Sequence, residues 1–115
     1  MESSGEALLL RIFVGESDSW QHKSLHSAIV EEARQQGLAG ATVLRGMEGY
    51  GANRHIHTAR LVDISPDLPI VIELVDEEAK IQAFLPLVEE MMVAGLVTLE
   101  RVTVHLYRGG VGSAE

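Results

Sequence analysis

A chain of 115 residues suits a single domain, and an apolar content of 46% is enough to build a core and to set the sequence apart from disordered chains. The net charge of −8 argues against nucleic acid and anionic membrane surfaces as partners, because both would be repelled. The sequence has no cysteine, which excludes disulfides, thiolate metal sites and thiol nucleophiles, and fits a reducing cytoplasm. No basic stretch precedes the apolar run over 8–14, and Arg11 interrupts that run. Neither a secretion signal nor membrane insertion is expected, so the chain reads as cytoplasmic.

Over 7–14, Leu8, Leu10, Ile12 and Val14 alternate with Leu9, Arg11 and Phe13, the period of two that marks a strand. Both sets are largely apolar, so both faces of this strand are expected to be covered. Leu25, Ala28, Ile29 and Ala33 recur at helical spacing, and Gly37 supplies a stop. Ala41, Thr42, Val43 and Leu44 read as a second strand that runs into a glycine-rich stretch over 46–51. Residues 52–67 read as a long loop with an extended or hairpin portion in its middle. Residues 70–75 are a strong strand of β-branched and apolar side chains. Asp76 is expected to cap a second helix, with Glu77 and Glu78 in its first turn and an apolar stripe of Ile81, Phe84, Leu85, Val88 and Met92. Pro86 removes a backbone hydrogen bond in mid-helix and predicts a kink or a break. Val102, Val104 and Leu106 then alternate with Arg101, Thr103 and His105 as a last strand.

This order predicts one α+β domain over 1–115, a ferredoxin-like βαββαβ sandwich with a four-stranded antiparallel sheet and two helices on one face. Its ordered core would span 7–107, with a Gly-rich flexible tail over 108–115. The helices leave one sheet face bare. Leu9, Phe13 and Leu44 point to it, opposite Leu8, Leu10 and Val43, and a second copy of the chain is the simplest cover.

The stretch 46–51 has the spacing G-x-x-G-x-G, which is not the dinucleotide fingerprint. It reads either as a turn that needs positive φ angles or as a cradle of backbone N–H groups for an anion. Residues 45–60 carry Arg45, Arg54 and Arg60 against Glu48 alone, a local charge of +2 that leaves −10 on the rest. That reversal suits either a solvated loop or a site for a small anionic ligand held by arginine. His55 and His57 would share a face of an extended segment and could bind a metal, although no third ligand lies nearby. Glu16, Ser17 and Asp18 after the first strand read as turn and capping residues, or as ligands for magnesium or ribose. No nucleophile elbow and no His-Glu-x-x-His is present, so no catalytic residue is assigned.

At Gly40-Ala41-Thr42-Val43, at Gly49-Tyr50-Gly51 and at Ile70-Val71-Ile72-Glu73 ahead of a helix, the sequence resembles the PII signalling proteins. It is more similar still to their PII-like relatives grouped as domain-of-unknown-function family 190, whose marks look like Gly15-Glu16-Ser17-Asp18, the block over 37–43, the block over 45–51 and Asp67-Leu68-Pro69. The likeness spans 7–107. It implies a regulatory homotrimer, without catalytic activity, that binds an adenine nucleotide in clefts between subunits. It also implies that the loop over 52–67 docks on a protein target such as a transporter or an enzyme. The nucleotide-binding residues on that pattern are Thr42, Gly49, Tyr50, Gly51, Arg54 and Arg101. Three departures stand out: Ala52 replaces a basic residue of PII, Gly95-Leu96-Val97-Thr98 replaces its Gly-Lys-rich phosphate loop, and 52–67 holds no tyrosine. They shift the expectation from Mg-ATP to AMP or ADP, or to another small anion. Two rival readings are a CutA-like trimeric metal-binding protein using His55 and His57, and a small enzyme using Glu16 and Asp18.

Overall fold

The computed structural model describes residues 5–51, 56–58 and 67–109. Strand β1 (Gly5–Gly15) buries Leu8, Leu10, Ile12 and Val14 and leaves Leu9, Arg11 and Phe13 half-buried, the alternation its sequence predicts. A tight ribbon follows, in which β2 (Ser19–Trp20) pairs with β3 (Lys23–Ser24) around Gln21 and His22. Their φ angles of 49° and 69° are those of a type I′ turn, the geometry that matches strand twist. Helix α1 (Leu25–Gln35) buries Leu25, Ala28, Ile29 and Ala33, the stripe expected of it. It stops where Gly37 takes a φ of 80° and donates its N–H to the Arg34 carbonyl at 3.1 Å.

Strand β4 (Thr42–Arg45) leads into β5 (Glu48–Gly49), which pairs with β6 (His57–Thr58), Glu48 opposite Thr58 and Gly49 opposite His57. Within the expected loop, His57 and Thr58 are extended and pair with the glycine-rich stretch; 52–55 and 59–66 lie outside the described residues. Strand β7 (Pro69–Asp76) buries Ile70, Ile72, Leu74 and Asp76. Helix α2 (Glu78–Met91) buries Ile81, Phe84, Val88 and Met91, while Met92 lies past its end. Of the expected kink or break, the break is absent, because the helix runs continuously through Pro86. Pro86 and Gln82, whose carbonyl loses its donor, are both exposed, so water can serve that carbonyl. Strand β8 (Leu96–Val104) begins earlier than its alternation suggests, with Leu96, Val97 and Thr98 paired to Phe13, Ile12 and Arg11.

Asp76 does not cap α2 from the N-cap position, which belongs to Glu77. It is fully buried instead, and its carboxylate accepts the N–H of Glu77 at 2.7 Å and of Ala39 at 2.8 Å. One buried acid thus ties the connection after α1 to the start of α2.

The sheet has the order β4-β7-β1-β8 with each neighbouring pair antiparallel, and both helices pack on the face of Leu10, Ile12 and Ile72. This is the expected ferredoxin-like sandwich. Register places three rows on the other face: Leu9, Val75 and Glu100; Arg11, Glu73, Thr98 and Thr42; Phe13, Val71, Leu96 and Leu44. Leu44 at 48% and Leu96 at 55% exposure leave the edges of that face open among the described residues, whereas Ala7 on the same face is buried. Among the described residues, no helix is long and apolar enough to cross a membrane.

Candidate functional site

The ends of β1, β4 and β7 meet at one end of the sheet, since Gly15 pairs with Pro69 and Arg45 with Ile70. There the Gly46 N–H donates to the Pro69 carbonyl at 2.7 Å. A Cβ on Gly46 would lie 2.7 Å from Pro69 Cγ, and one on Gly49 would lie 3.1 Å from the same atom. None of Gly46, Gly49 and Gly51 has a positive φ. The glycine block therefore does not supply a left-handed turn, as the sequence allowed. Two of its glycines let the chain press against Pro69. A Cβ on Gly51 would meet nothing within 4 Å among the described residues, so no such packing reason is seen there.

Arg45 leaves this end bound twice to one carboxylate, Nε to Glu16 Oε2 at 2.9 Å and Nη2 to Glu16 Oε1 at 3.0 Å. Asp18 Oδ2 accepts the N–H of Gly15 at 2.9 Å, and Asp67 Oδ1 accepts that of Ser17 at 2.8 Å. Glu16 thus holds the turn after β1 to β4, and Asp18 closes the turn on itself. Asp67 joins them from 50 residues away, which no local pattern announces. Ser17, Asp18, Ser19, Leu25, Met91, Val93 and Ala94 line an open hollow of about 370 Å³ beside this turn.

The residues expected to bind nucleotide are divided. Gly49, Tyr50 and Gly51 stand together at the base of the β5–β6 ribbon, with Tyr50 65% exposed. Thr42 is exposed on edge strand β4, in the row of Arg11 and Glu73. Arg101 lies on the opposite edge strand, paired with Leu8 and so on the helix side, where its Nη1 and Nη2 reach Glu78 at 3.3 and 3.4 Å. Three strand spacings put the two edges about 14 Å apart. One chain therefore does not bring Arg101 to the glycine block. Arg54 and His55 lie outside the described residues. His57 sits in β6, and no three His, Asp or Glu groups gather to hold a metal among the described residues.

Charge is organised on the bare face too. Arg11 Nε donates to Glu73 Oε2 at 2.8 Å and Nη1 to Glu100 Oε1 at 3.4 Å. The hydrogen bond that Arg11 donates to Glu73, against a smaller opposing effect of burial, raises the Arg11 pKa above the ordinary arginine value.

A β4-β7-β1-β8 sheet carrying two helices on one face defines a ferredoxin-like α+β protein. Residues 7–104 match the model of DUF190, described as "Uncharacterized ACR", and the chain belongs to that family. It is 43% identical over 98 residues to a UPF0166 protein of Aquifex aeolicus (strain VF5), covering 84% of this chain and 90% of that protein. Among solved structures it is similar to a chain from Thermus thermophilus described as PII-like, with a TM-score of 0.66, 22% identity, and coverage of 90% of this chain and 93% of that one. It is also similar to CPII from Thiomonas intermedia, solved with ADP and bicarbonate, with a TM-score of 0.62, 18% identity, and coverage of 88% and 90%. CutA1 from Oryza sativa has the same architecture at a TM-score of 0.56 and 10% identity, covering 98% of this chain and 90% of that one. These structural likenesses establish the fold, which serves the nucleotide and the metal readings alike.

Proposed function

We propose that the protein is a cytoplasmic, non-catalytic PII-like regulator. In this reading a homotrimer binds ADP or AMP in clefts between its copies and signals through 52–67 to a protein target. The observation that carries this is the division of the site. Gly49, Tyr50 and Gly51 lie at one edge of the sheet and Arg101 at the other, so a cleft holding all four needs a neighbouring copy. Among the described residues nothing crowds the Gly51 backbone, and the exposed Tyr50 ring can stack on a base. The ion pair of Arg101 with Glu78 is long and exposed, contributes little to folding, and can be exchanged for a phosphate contact. The bare sheet face asks for a copy of the chain as cover. CPII, solved with ADP and bicarbonate, supports the ligand class.

Calorimetric titration with AMP, ADP, ATP, cyclic AMP, bicarbonate and Zn²⁺, together with light scattering, tests the reading. The expected result is a trimer that binds AMP or ADP in preference to the rest. Binding of zinc alone, or a monomer that binds none of them, would overturn it.

A further inference from the structure

Gly15 ends β1, and the space where its Cβ would stand is bordered by two carboxylates. A Cβ there would lie 3.0 and 3.3 Å from Asp67 Oδ1 and Oδ2, and 3.3 Å from Asp18 Oδ1. Gly15 has no positive φ, so the carboxylates, rather than the backbone, call for glycine. Beside the bare Gly15, Asp67 Oδ1 accepts the Ser17 N–H at 2.8 Å. We propose that this Asp67–Ser17 bond is a regulatory tie, which holds the end of 52–67 on the turn after β1 and opens without disturbing the sheet. The proposal rests on the reading of 52–67 as the signalling segment and deepens it.

Two kinds of link meet at this end of the sheet. Gly15 pairs with Pro69, the Glu16 N–H donates to the Leu68 carbonyl at 2.9 Å, and the Gly46 N–H donates to the Pro69 carbonyl at 2.7 Å. These backbone bonds continue the sheet, and Leu68 beside them is buried. The Asp67–Ser17 bond differs, because a side chain makes it, at the surface and beyond the last ladder pair. Exposed bonds of this kind open locally at little cost, whereas ladder bonds open only with the sheet. Asp18, next to Ser17, accepts the Leu25 N–H on its carbonyl at 2.8 Å, which joins the same turn to the start of α1. A closed tie therefore passes a change in 52–67 to the turn and to α1, and an open tie does not.

Residue-resolved hydrogen exchange tests this, first without nucleotide. Asp67→Ala is expected to speed exchange at Ser17 and across 52–66 about tenfold, with the Glu16 and Gly46 amides within about twofold of wild type. Melting should move by no more than a few degrees. Asp67→Asn should restore slow exchange, since its amide oxygen can accept the same N–H. Gly15→Ala pushes the carboxylate away from the other side and should reproduce the Asp67→Ala effect. The two together should do no more than either alone, because both remove one bond. Adding ADP should then alter exchange at the Leu25 amide in the wild type and leave it unchanged in Asp67→Ala. Wild-type exchange across 52–66 in both Asp67→Ala and Gly15→Ala would overturn the tie, as would an equal ADP response with and without it. Loss of protection throughout the protein, in step with a lower melting temperature, would also overturn it, by making Asp67 a support of the whole fold. A wild type that binds neither AMP nor ADP would instead overturn the nucleotide reading, and the exchange rates without nucleotide still decide the tie.

Discussion

Gly46 lies so close to Pro69 that the ring Cγ stands 2.7 Å from where a Cβ would be, while the Pro69 carbonyl accepts the Gly46 N–H at 2.7 Å. The base of the β5–β6 ribbon is built on that contact. Gly46→Ala is expected to cost about 1–3 kcal/mol in urea unfolding, the range for overpacking a filled contact. Gly49→Ala should cost less, since its contact of 3.1 Å needs only a small shift. Gly51→Ala should change stability by no more than about 0.5 kcal/mol, as for an open surface position. A large loss at Gly51 would show that the open backbone serves the fold rather than a ligand.

Asp76 gives a second test of what holds the fold. Its buried carboxylate accepts two backbone N–H groups, from Ala39 and Glu77. Asp76→Ala strands both, and should cost about 2–6 kcal/mol at roughly 1–3 for each group left unpaired. Asp76→Asn keeps one acceptor but turns an amide N–H₂ toward the other donor, so it should recover only part of the loss. A change under about 1 kcal/mol in the alanine variant would mean that water replaces the carboxylate.

Much of this fold was legible because burial and periodicity agree along β1, α1, β7 and α2. Leu8 to Val14 alternate as a strand that is buried on one side, and Leu25, Ala28, Ile29 and Ala33 fall on one helical face. The sequence misled where local chemistry and tertiary context part. Asp76 beside two glutamates looks like a helix cap, yet its partner Ala39 is 37 residues away. Leu96 to Thr98 carry no clean alternation because they lie on an edge strand, and only pairing with β1 makes them strand. The turn at Gln21 and His22 lacks the Asn or Gly that usually marks type I′ geometry. The glycine block was visible as glycine, but its reason, contact with Pro69, is long-range.

The helix surface gives a pH-dependent test. Arg34 bonds Glu31 through Nε at 3.1 Å and Nη2 at 2.6 Å. The hydrogen bond from Arg34, then that from Gln35, holds the Glu31 carboxyl below its ordinary value. A carboxyl lowered in the folded state adds stability above its unfolded value, and that stability is lost as pH falls through the folded value. Titration by NMR should find Glu31 low in the wild type and back toward the ordinary glutamate range in Arg34→Ala. The stability difference between the two proteins should shrink on acidification. A difference that grows at acid pH would rule the ion pair out as its source.

Arg101 and Glu78 provide the sharpest test of the ligand site. Their contacts of 3.3 and 3.4 Å are long, and both side chains are more than half exposed. Such a pair adds little to folding, so Arg101→Ala and Glu78→Gln should each melt within a few degrees of wild type. Their effects on ADP should be opposite. If Arg101 meets phosphate across a subunit cleft, Arg101→Ala removes a charge-assisted contact and should weaken ADP about tenfold or more. Glu78→Gln removes the competitor for the same guanidinium and should tighten ADP, though by less. The double variant should bind no better than Arg101→Ala alone, because Glu78 matters only through Arg101. Arg54→Ala added to Arg101→Ala should weaken binding further if both arginines face the ligand. Full ADP affinity in the Arg54→Ala, Arg101→Ala double variant would exclude both arginines from the site. Attention would then move to Tyr50 and the hollow beside Ser17 and Asp18.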